Sequence, residues 1–411
     1  MNSPFPAQNA GGRYDVVVIG GGIVGLATAV TVLQRHPECR LAVLEAEADV
    51  GQHQSGNNSG VIHSGLYYRP GSTKAKTCRE GKQLLEQFCR DEGVRWDRCG
   101  KVVVAVNADE RQRLDLIADR ATQNGVEFER IDTDRLRQLE PAAAGLAALH
   151  VPETGIVDYP EVCRAMVRRI RAAGGQVITD FRVEVIDVAG DDVVLKAVGH
   201  DDPVRCDRYV NCGGLQCDRI ARAAGVKTDV RIVPFRGEYF ELKSESQRLC
   251  RNLIYPVPDP SFPFLGVHFT RMIQGGVECG PNAVLAMARH GYRWSDVSVS
   301  DLAETLSFAG FRKLAGKHWR MGAGEMYRSF SKHAFTRALQ KLIPSIRPTD
   351  LKPGRSGVRA QAVTPEGDLV DDFLIQRGPR SVHVLNAPSP AATASLAIAR
   401  HVVDRFESEE D

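Results

Sequence analysis

Residues 14–45 read YDVVVIGGGIVGLATAVTVLQRHPECRLAVLE, and this stretch decides the fold. It opens with a short β-branched run, Tyr14 to Ile19, of the kind buried on both faces of a parallel sheet. Gly20, Gly22 and Gly25 then fit G-x-G-x-x-G ahead of an apolar helical pattern. Gly20 permits a tight turn, Gly22 lets backbone approach a pyrophosphate, and Gly25 lets helix and strand pack closely. The helix N-terminus turns the positive end of its dipole toward the phosphates. A second strand, Leu41 to Leu44, ends in Glu45, twenty residues beyond Gly25. A carboxylate there accepts from ribose hydroxyls and repels a 2′-phosphate, which disfavours NADP. The glycines alone are a weak signal, since a glycine-rich turn needs no ligand. Strand, turn, helix, strand and acid in register predict a Rossmann-like dinucleotide-binding unit.

Working outward, Gly51 to Tyr68 reads GQHQSGNNSGVIHSGLYY, a polar loop where an NAD domain would continue with alternating strands and helices. Its hydroxyls, amides and free N–H groups suit a second contact with a pyrophosphate or an isoalloxazine edge. The stretch from Glu45 through Ser55, Ser59, His63, Ser64 and Gly65 resembles the D-amino-acid-oxidase-like superfamily of FAD enzymes. That resemblance implies FAD as the cofactor. It also implies that the strand containing Val183 lies against the adenine, and that Gly213 and Gly214 form a second phosphate-side turn.

Four further segments narrow the match: NNSGVIHSGLYYRPGSTKAKTCREG from Asn57, YPVPDPSFPFLGVHFTR from Tyr255, GPNAVLAMARHGY from Gly280 and NAPSPAATASLAIA from Asn386. Together they resemble the L-2-hydroxyglutarate dehydrogenase (oxidase) family, from about Asp15 to Phe406. The resemblance implies FAD-dependent oxidation of a five-carbon hydroxy diacid, with electrons passed to a membrane quinone or another acceptor. The implied architecture is α/β: a Rossmann-like FAD-binding domain (1–94, 150–230 and 352–411) with an inserted, β-sheet-rich α+β substrate domain (95–149 and 231–351). The residue patterns agree with it. Four prolines between Leu253 and Val267 allow no long helix, the segment from about 291 to 346 is helical in pattern, and the chain closes with a strand, Ser381 to Leu385, and a helix from Ala391.

Oxidising a secondary alcohol on a flavin moves hydride from Cα and removes the hydroxyl proton, so a base that titrates near working pH is wanted. Histidine fits. His268 lies on a strand of the inserted domain and is the first candidate; His63, in the flavin loop, is the second. A satisfied structural histidine is the plain alternative for His268. The substrate carboxylate needs a fixed cation, and a guanidinium pairs with it bidentately. Gly357-Val358-Arg359 followed by Thr364-Pro365-Glu366-Gly367 resembles a superfamily element whose Arg binds substrate carboxylate, although Ala360 replaces its Pro. Tyr255 matches a tyrosine that acts on the same carboxylate in related oxidases. A distal carboxylate requires a second cation, for which Arg236, Arg271, Arg69 and Lys352 are all open. Ser389, Pro390 and Ala391 place the last helix's N-terminus near the flavin pyrimidine ring, where its positive end stabilises an anionic reduced flavin.

Composition bounds the partners. Fifty-three Lys and Arg against fifty-one Asp and Glu leave a net charge of +2 over 411 residues, so no global field names a partner. The basic residues are balanced overall and the aromatics show no repeated pairing with a Lys/Arg stripe of the kind single-strand binders use, so nucleic-acid binding is not expected. Ten scattered cysteines without a C-x-x-C pair read as reduced, and no short-spaced His/Cys set predicts a metal. There is no apolar run long enough to span a bilayer, and MNSPFPAQNAGGR lacks a signal peptide's basic start and apolar core. One local asymmetry stands out. Phe311 to Lys341 carries eight basic residues against Glu325 alone, interleaved with Phe311, Leu314, Trp319, Met321, Met326, Tyr327, Phe330 and Phe335. This reads as a basic amphipathic segment on a membrane surface, or as a solvated helical face, and the expected location is cytoplasmic and peripheral on the membrane's inner face. Two other functions share parts of the reading: an amine oxidase of the same fold, of glycine or sarcosine type, and a flavin-binding scaffold without turnover.

Overall fold

Among the residues that the computed structural model describes, 12–259 and 265–408, five strands run parallel. Their order is Gln176–Ile178, Leu41–Leu44, Gly12–Ile19, Val204–Asn211 and Ser381–Asn386. The middle strands are apolar on both faces because both faces are covered: Val17, Val18, Ala42 and Val43 are fully buried. One face carries four helices, Ile23–Arg35, Thr73–Asp91, Tyr159–Ala172 and Ala391–Glu407, packed in one core with Val16, Val18 and Val43. Gly81 allows the close approach of Thr73–Asp91 to Ala391–Glu407, since a Cβ there would lie 2.5 Å from Ala394 Cα. The other face packs on the antiparallel pair Val183–Ala189 and Asp192–Ala197 through Tyr14, Val17, Leu195 and Tyr209.

The second sheet runs Val284–Leu285, Arg231–Leu242, Val277–Gly280, His268–Arg271, Leu253–Pro256, Lys101–Ala105, Ala147–Val151, Glu129–Ile131. Leu253–Pro256 pairs parallel with Lys101–Ala105, and the neighbouring ladders are antiparallel. One expected boundary needs correction. The strand Leu351–Val363 pairs with Arg231–Leu242 along eleven register positions, so by sheet membership the chain returns to the first layer only after residue 363, not at 352. Residues 352–363 lack the helix alternation that marks the first layer, but a local pattern does not say which sheet a strand joins.

The segment expected to be helical forms Val299–Ser307, Ala309–Phe330 and Lys332–Leu339, the second broken at His318 (φ −118°). Helical period buries Phe311 and Leu314 against Val233 and Val363, and Phe335 is buried with Phe240. These three expected membrane anchors belong to the core instead. All ten cysteines are unpaired. The N-terminal stretch weighed for a signal peptide falls largely on residues 1–11, and the centre of the proline-rich segment, with Pro260 and Pro263, on 260–264; both lie outside the described residues.

Candidate active site

The glycine turn has the geometry its spacing predicts. Gly20 adopts φ +109°, a left-handed conformation that side chains disfavour. A Cβ on Gly25 would lie 2.0 Å from the Gly20 carbonyl oxygen, so helix and strand touch only because it has none. At Gly22 a Cβ would meet only Ser55 Oγ, at 3.3 Å, which leaves the turn open to a ligand. Ser55 Oγ accepts from Ile23 N (2.9 Å) at the first turn of the helix. Glu45 is buried beside this turn. Its Oε2 accepts from Gly21 N at 2.7 Å and its Oε1 from Glu47 N at 2.9 Å, and burial raises its carboxyl above the usual range against these bonds.

A cavity of about 1190 Å³ runs from this turn to the face of the second sheet. Gly20, Gly22, Glu45, Ser55, Ser59, His63, Val183, Gly213, Ser389, Pro390 and Ala391 line it from the first layer, and Tyr255, His268 and Arg359 from the second. Gly25 and Ser64 are outside the lining: Gly25 holds the helix to the strand, and Ser64 is buried, its carbonyl accepting from Arg79 at 3.3 Å. The last helix starts at Ala391 with Pro390 as an N-cap that supplies no side-chain bond; Ala391 N donates to Pro388 O at 2.9 Å, and the N–H groups of the rest of the first turn are left to whatever occupies the cavity. An extended cavity with a glycine turn and a buried carboxylate at one end and two helix N-termini along it fits FAD.

On the opposite wall, Tyr255 and His268 are in ring contact, 4.0 Å between centroids. His268 Nδ1 lies 2.8 Å from Gly266 O. A carbonyl only accepts, so Nδ1 carries the proton and Nε2 keeps its lone pair. Burial pushes His268 down to about 4, Arg359 and Lys101 push it the same way, and the Gly266 bond opposes them. His63 is pushed down further, to about 3, by burial and then by Lys101, His268 and Lys74. Both imidazoles are therefore neutral near pH 7. Burial pushes the Tyr255 phenol well up.

Arg359 sits opposite Phe235 on the strand Leu351–Val363. Two residues earlier, Gly357 passes the flavin loop so closely that a Cβ would lie 2.3 Å from Asn57 O. This is the physical reason for glycine in Gly-x-Arg. The distal-carboxylate candidates are elsewhere. Arg236 is buried under Trp294, 4.1 Å from its ring centre, and pairs with Glu238 at 3.1 Å; Arg271 pairs with Asp97, and Lys352 with Glu241 at 2.8 Å. Neither they nor Arg69 line the cavity.

Several residues that matter here carried no motif. Arg355 donates to Gly56 O (3.1 Å) and Asn58 O (2.6 Å), clamping the flavin loop to the second sheet. Thr393 Oγ1 accepts from His63 N at 3.1 Å and meets the Tyr159 hydroxyl at 3.0 Å, tying that loop to the last helix. Glu47, His53 and His290 bring donor atoms within 4.8 Å of one another, a grouping that spacing could not reveal because His290 comes from a distant loop. Glu47 there also pairs with Arg182 at 3.1 Å, and His290 bonds Gln216 at 2.9 Å.

Residues 15–405 match the family model described as FAD dependent oxidoreductase. The chain is 51% identical to an L-2-hydroxyglutarate dehydrogenase of Indibacter alkaliphilus, over 94% of this chain and 96% of that one. It is 44% identical to the L-2-hydroxyglutarate dehydrogenase of Escherichia coli K12 (96% and 93% covered) and 44% identical to the mitochondrial L-2-hydroxyglutarate dehydrogenase of Homo sapiens (96% and 89%). Among solved structures, dithionite-reduced L-alpha-glycerophosphate oxidase from Mycoplasma pneumoniae with FAD bound superposes with a TM-score of 0.79 at 20% identity, covering 97% of this chain and 96% of that one. Glycine oxidase from Geobacillus kaustophilus gives 0.70 at 16% identity, with 97% and 96% covered.

Proposed function

Because the chain belongs to the FAD-dependent oxidoreductases, and within them to the L-2-hydroxyglutarate dehydrogenase family, we propose that it oxidises L-2-hydroxyglutarate to 2-oxoglutarate in this cavity. The observation that carries the reading is a neutral His268 with Nε2 free to accept, next to Tyr255 and within the electrostatic reach of Arg359. Bound FAD supplies the hydride acceptor. His268 Nε2 takes the hydroxyl proton as the C–H bond breaks. Arg359 holds the adjacent carboxylate, with the Tyr255 hydroxyl as a further donor. A dianionic substrate offsets the positive field of Arg359 and Lys101 on His268, so the imidazole becomes a better base once substrate is in place. His63 is the alternative base. Its lower proton affinity and its backbone tie to Thr393 favour a loop-fixing role.

Anaerobic addition of L-2-hydroxyglutarate to the holoenzyme tests this directly, with bleaching of the flavin absorbance expected. Bleaching by glycine or sarcosine and not by the hydroxy acid would turn the reading to an amine oxidase. No bleaching by either would leave a flavin scaffold.

A membrane surface as the site of electron delivery to a quinone rests on a separate observation. Along residues 299–330, Val299 (80%), Trp319 (64%), Tyr327 (64%) and Phe330 (68%) are exposed, as are Arg312, Lys317 and Arg320, the last with its guanidinium over the Trp319 ring. Apolar rings interleaved with cations suit an anionic lipid interface. No described helix is long and apolar enough to cross a membrane.

A further inference from the structure

Lys101 opens the strand Lys101–Ala105, KVVVA, whose residues are all buried. Strand period places it on the face of Val103 and Ala105, and Val103 is paired with Tyr255 in the parallel ladder. Its ammonium lies 4.7 Å from the ring centre of Tyr67 and 5.1 Å from that of Tyr255, both of which line the cavity. The residue is 1% exposed, and among the described residues no carboxylate pairs with it. Lys82 makes the contrast: also buried, it pairs with Glu86 at 2.7 Å and Glu153 at 3.3 Å. Burying an ammonium without an anion is costly, and two aromatic faces offset only part of that cost. Burial accordingly pushes Lys101 down to about 8, where it is still mostly protonated at neutral pH.

Lys101 and Arg359 both act on His268, so the proposed base has a cation from each of two strands in its field. A 2-hydroxy diacid has the same layout: one carboxylate beside the reacting carbon and a second at the far end of the chain. We propose that Lys101 binds the distal carboxylate of the substrate and is the residue that makes the cavity prefer a diacid to a monoacid. The assignment rests on the proposed reaction, with Arg359 on the near carboxylate. Arg236, Arg271 and Lys352 already have acidic partners, as does Lys74 of the cavity lining, whose ammonium lies 3.0 Å from Asp371 Oδ1; Lys101 stands against the lining rings of Tyr67 and Tyr255 with no such pair among the described residues.

The test uses FAD-loaded full-length protein, wild type, Lys101→Met and Lys101→Arg, with two readouts. The first is binding of glutarate and of valerate, followed by perturbation of the flavin spectrum without turnover. The second is kcat/KM for L-2-hydroxyglutarate and for L-2-hydroxyvalerate, which has a methyl group at the distal end. Losing one partner of a buried charge pair predicts about 100-fold weaker glutarate binding in Lys101→Met, a similar fall in kcat/KM for the diacid carried by KM, and little change for either monoacid. Lys101→Arg should keep most of the diacid preference. Equal losses for diacid and monoacid, or unchanged glutarate binding, overturn the assignment. If Lys101→Met does not retain FAD, wild type and Lys101→Arg decide: a wild-type protein that binds valerate as tightly as glutarate overturns it without any variant. Failure of wild type to be reduced by L-2-hydroxyglutarate would sink the reaction but leave the glutarate measurement intact as a test of Lys101.

Discussion

His268 lies against Tyr255 with ring centroids 4.0 Å apart and planes inclined by 32°, on adjacent antiparallel strands that bring together residues thirteen apart in sequence. The contact holds the imidazole from the side, and the Gly266 carbonyl holds it from Nδ1. With ring and tautomer both fixed, Nε2 is the atom left for chemistry.

Replacing His268 by Ala is expected to slow flavin reduction by about 10²- to 10⁴-fold, the usual contribution of a positioned general base. Anaerobic stopped-flow with L-2-hydroxyglutarate reads this. A variant that reduces as fast as wild type removes His268 from the mechanism, and the same experiment on His63→Ala then decides for or against the flavin-loop histidine.

The pH profile has a sign fixed by the lowered proton affinity. The base must be unprotonated, and burial pushes His268 down to about 4, so activity should be lost on the acid side. In kcat/KM, which reports free enzyme, the acid limb is expected well below the ordinary histidine value of about 6.5. A limb at or above that value would mean that another group titrates.

Arg359→Ala should lower kcat/KM for L-2-hydroxyglutarate by two to three orders of magnitude, roughly 3 to 4 kcal/mol of transition-state stabilisation. Arg359→Lys should recover little of it because the bidentate fork is lost. Near-normal kcat/KM in either variant would contradict its pairing with the carboxylate.

Glu45→Arg is expected to release FAD, since it removes the acceptor for Gly21 N and puts a bulky cation into a buried pocket at the cavity's phosphate end. The flavin-to-protein absorbance ratio after gel filtration measures it. An unchanged ratio would rule out Glu45 as part of the nucleotide site.

Membrane association should depend on salt and on the exposed cations. Wild type is expected to co-sediment with anionic liposomes at low salt and to be released as screening shortens the charge interaction to about 8 to 10 Å. At about 1 kcal/mol per basic residue near the surface, reversing Arg312, Lys317 and Arg320 to Glu should abolish binding. Wild type that stays in the supernatant at every salt concentration points to a soluble electron acceptor, oxygen included.

Residues 14–45 determined the dinucleotide-binding layer on their own, because every constraint there is local: a buried strand, a turn that only glycine can make, a helix that must touch it, and an acid at fixed spacing. Pro390 was legible for the same reason, being set by a backbone requirement within a few residues, whereas Gly357 was marked only by a resemblance, because the group that demands a glycine there, the Asn57 carbonyl, comes from a distant part of the chain. The second layer was less so. Leu351–Val363 was read as part of the first layer because strand character is local, whereas the choice of sheet depends on an eleven-position register with Arg231–Leu242. Phe311, Leu314 and Phe335 read as lipid anchors until the helix packing turned them inward, since periodicity gives a face but not what covers it.

The cations show the division most sharply. Charge and spacing could propose Arg236, Arg271 or Lys352, yet each is claimed by an acid that the fold brings to it, and Arg69 stays outside the cavity lining. Lys101 stood in the sequence as one polar residue at the start of an apolar strand. Only tertiary structure could leave it buried between Tyr67 and Tyr255 with no acid paired to it among the described residues, because the absence of a partner is a property of everything packed around a residue and not of its neighbours in the chain.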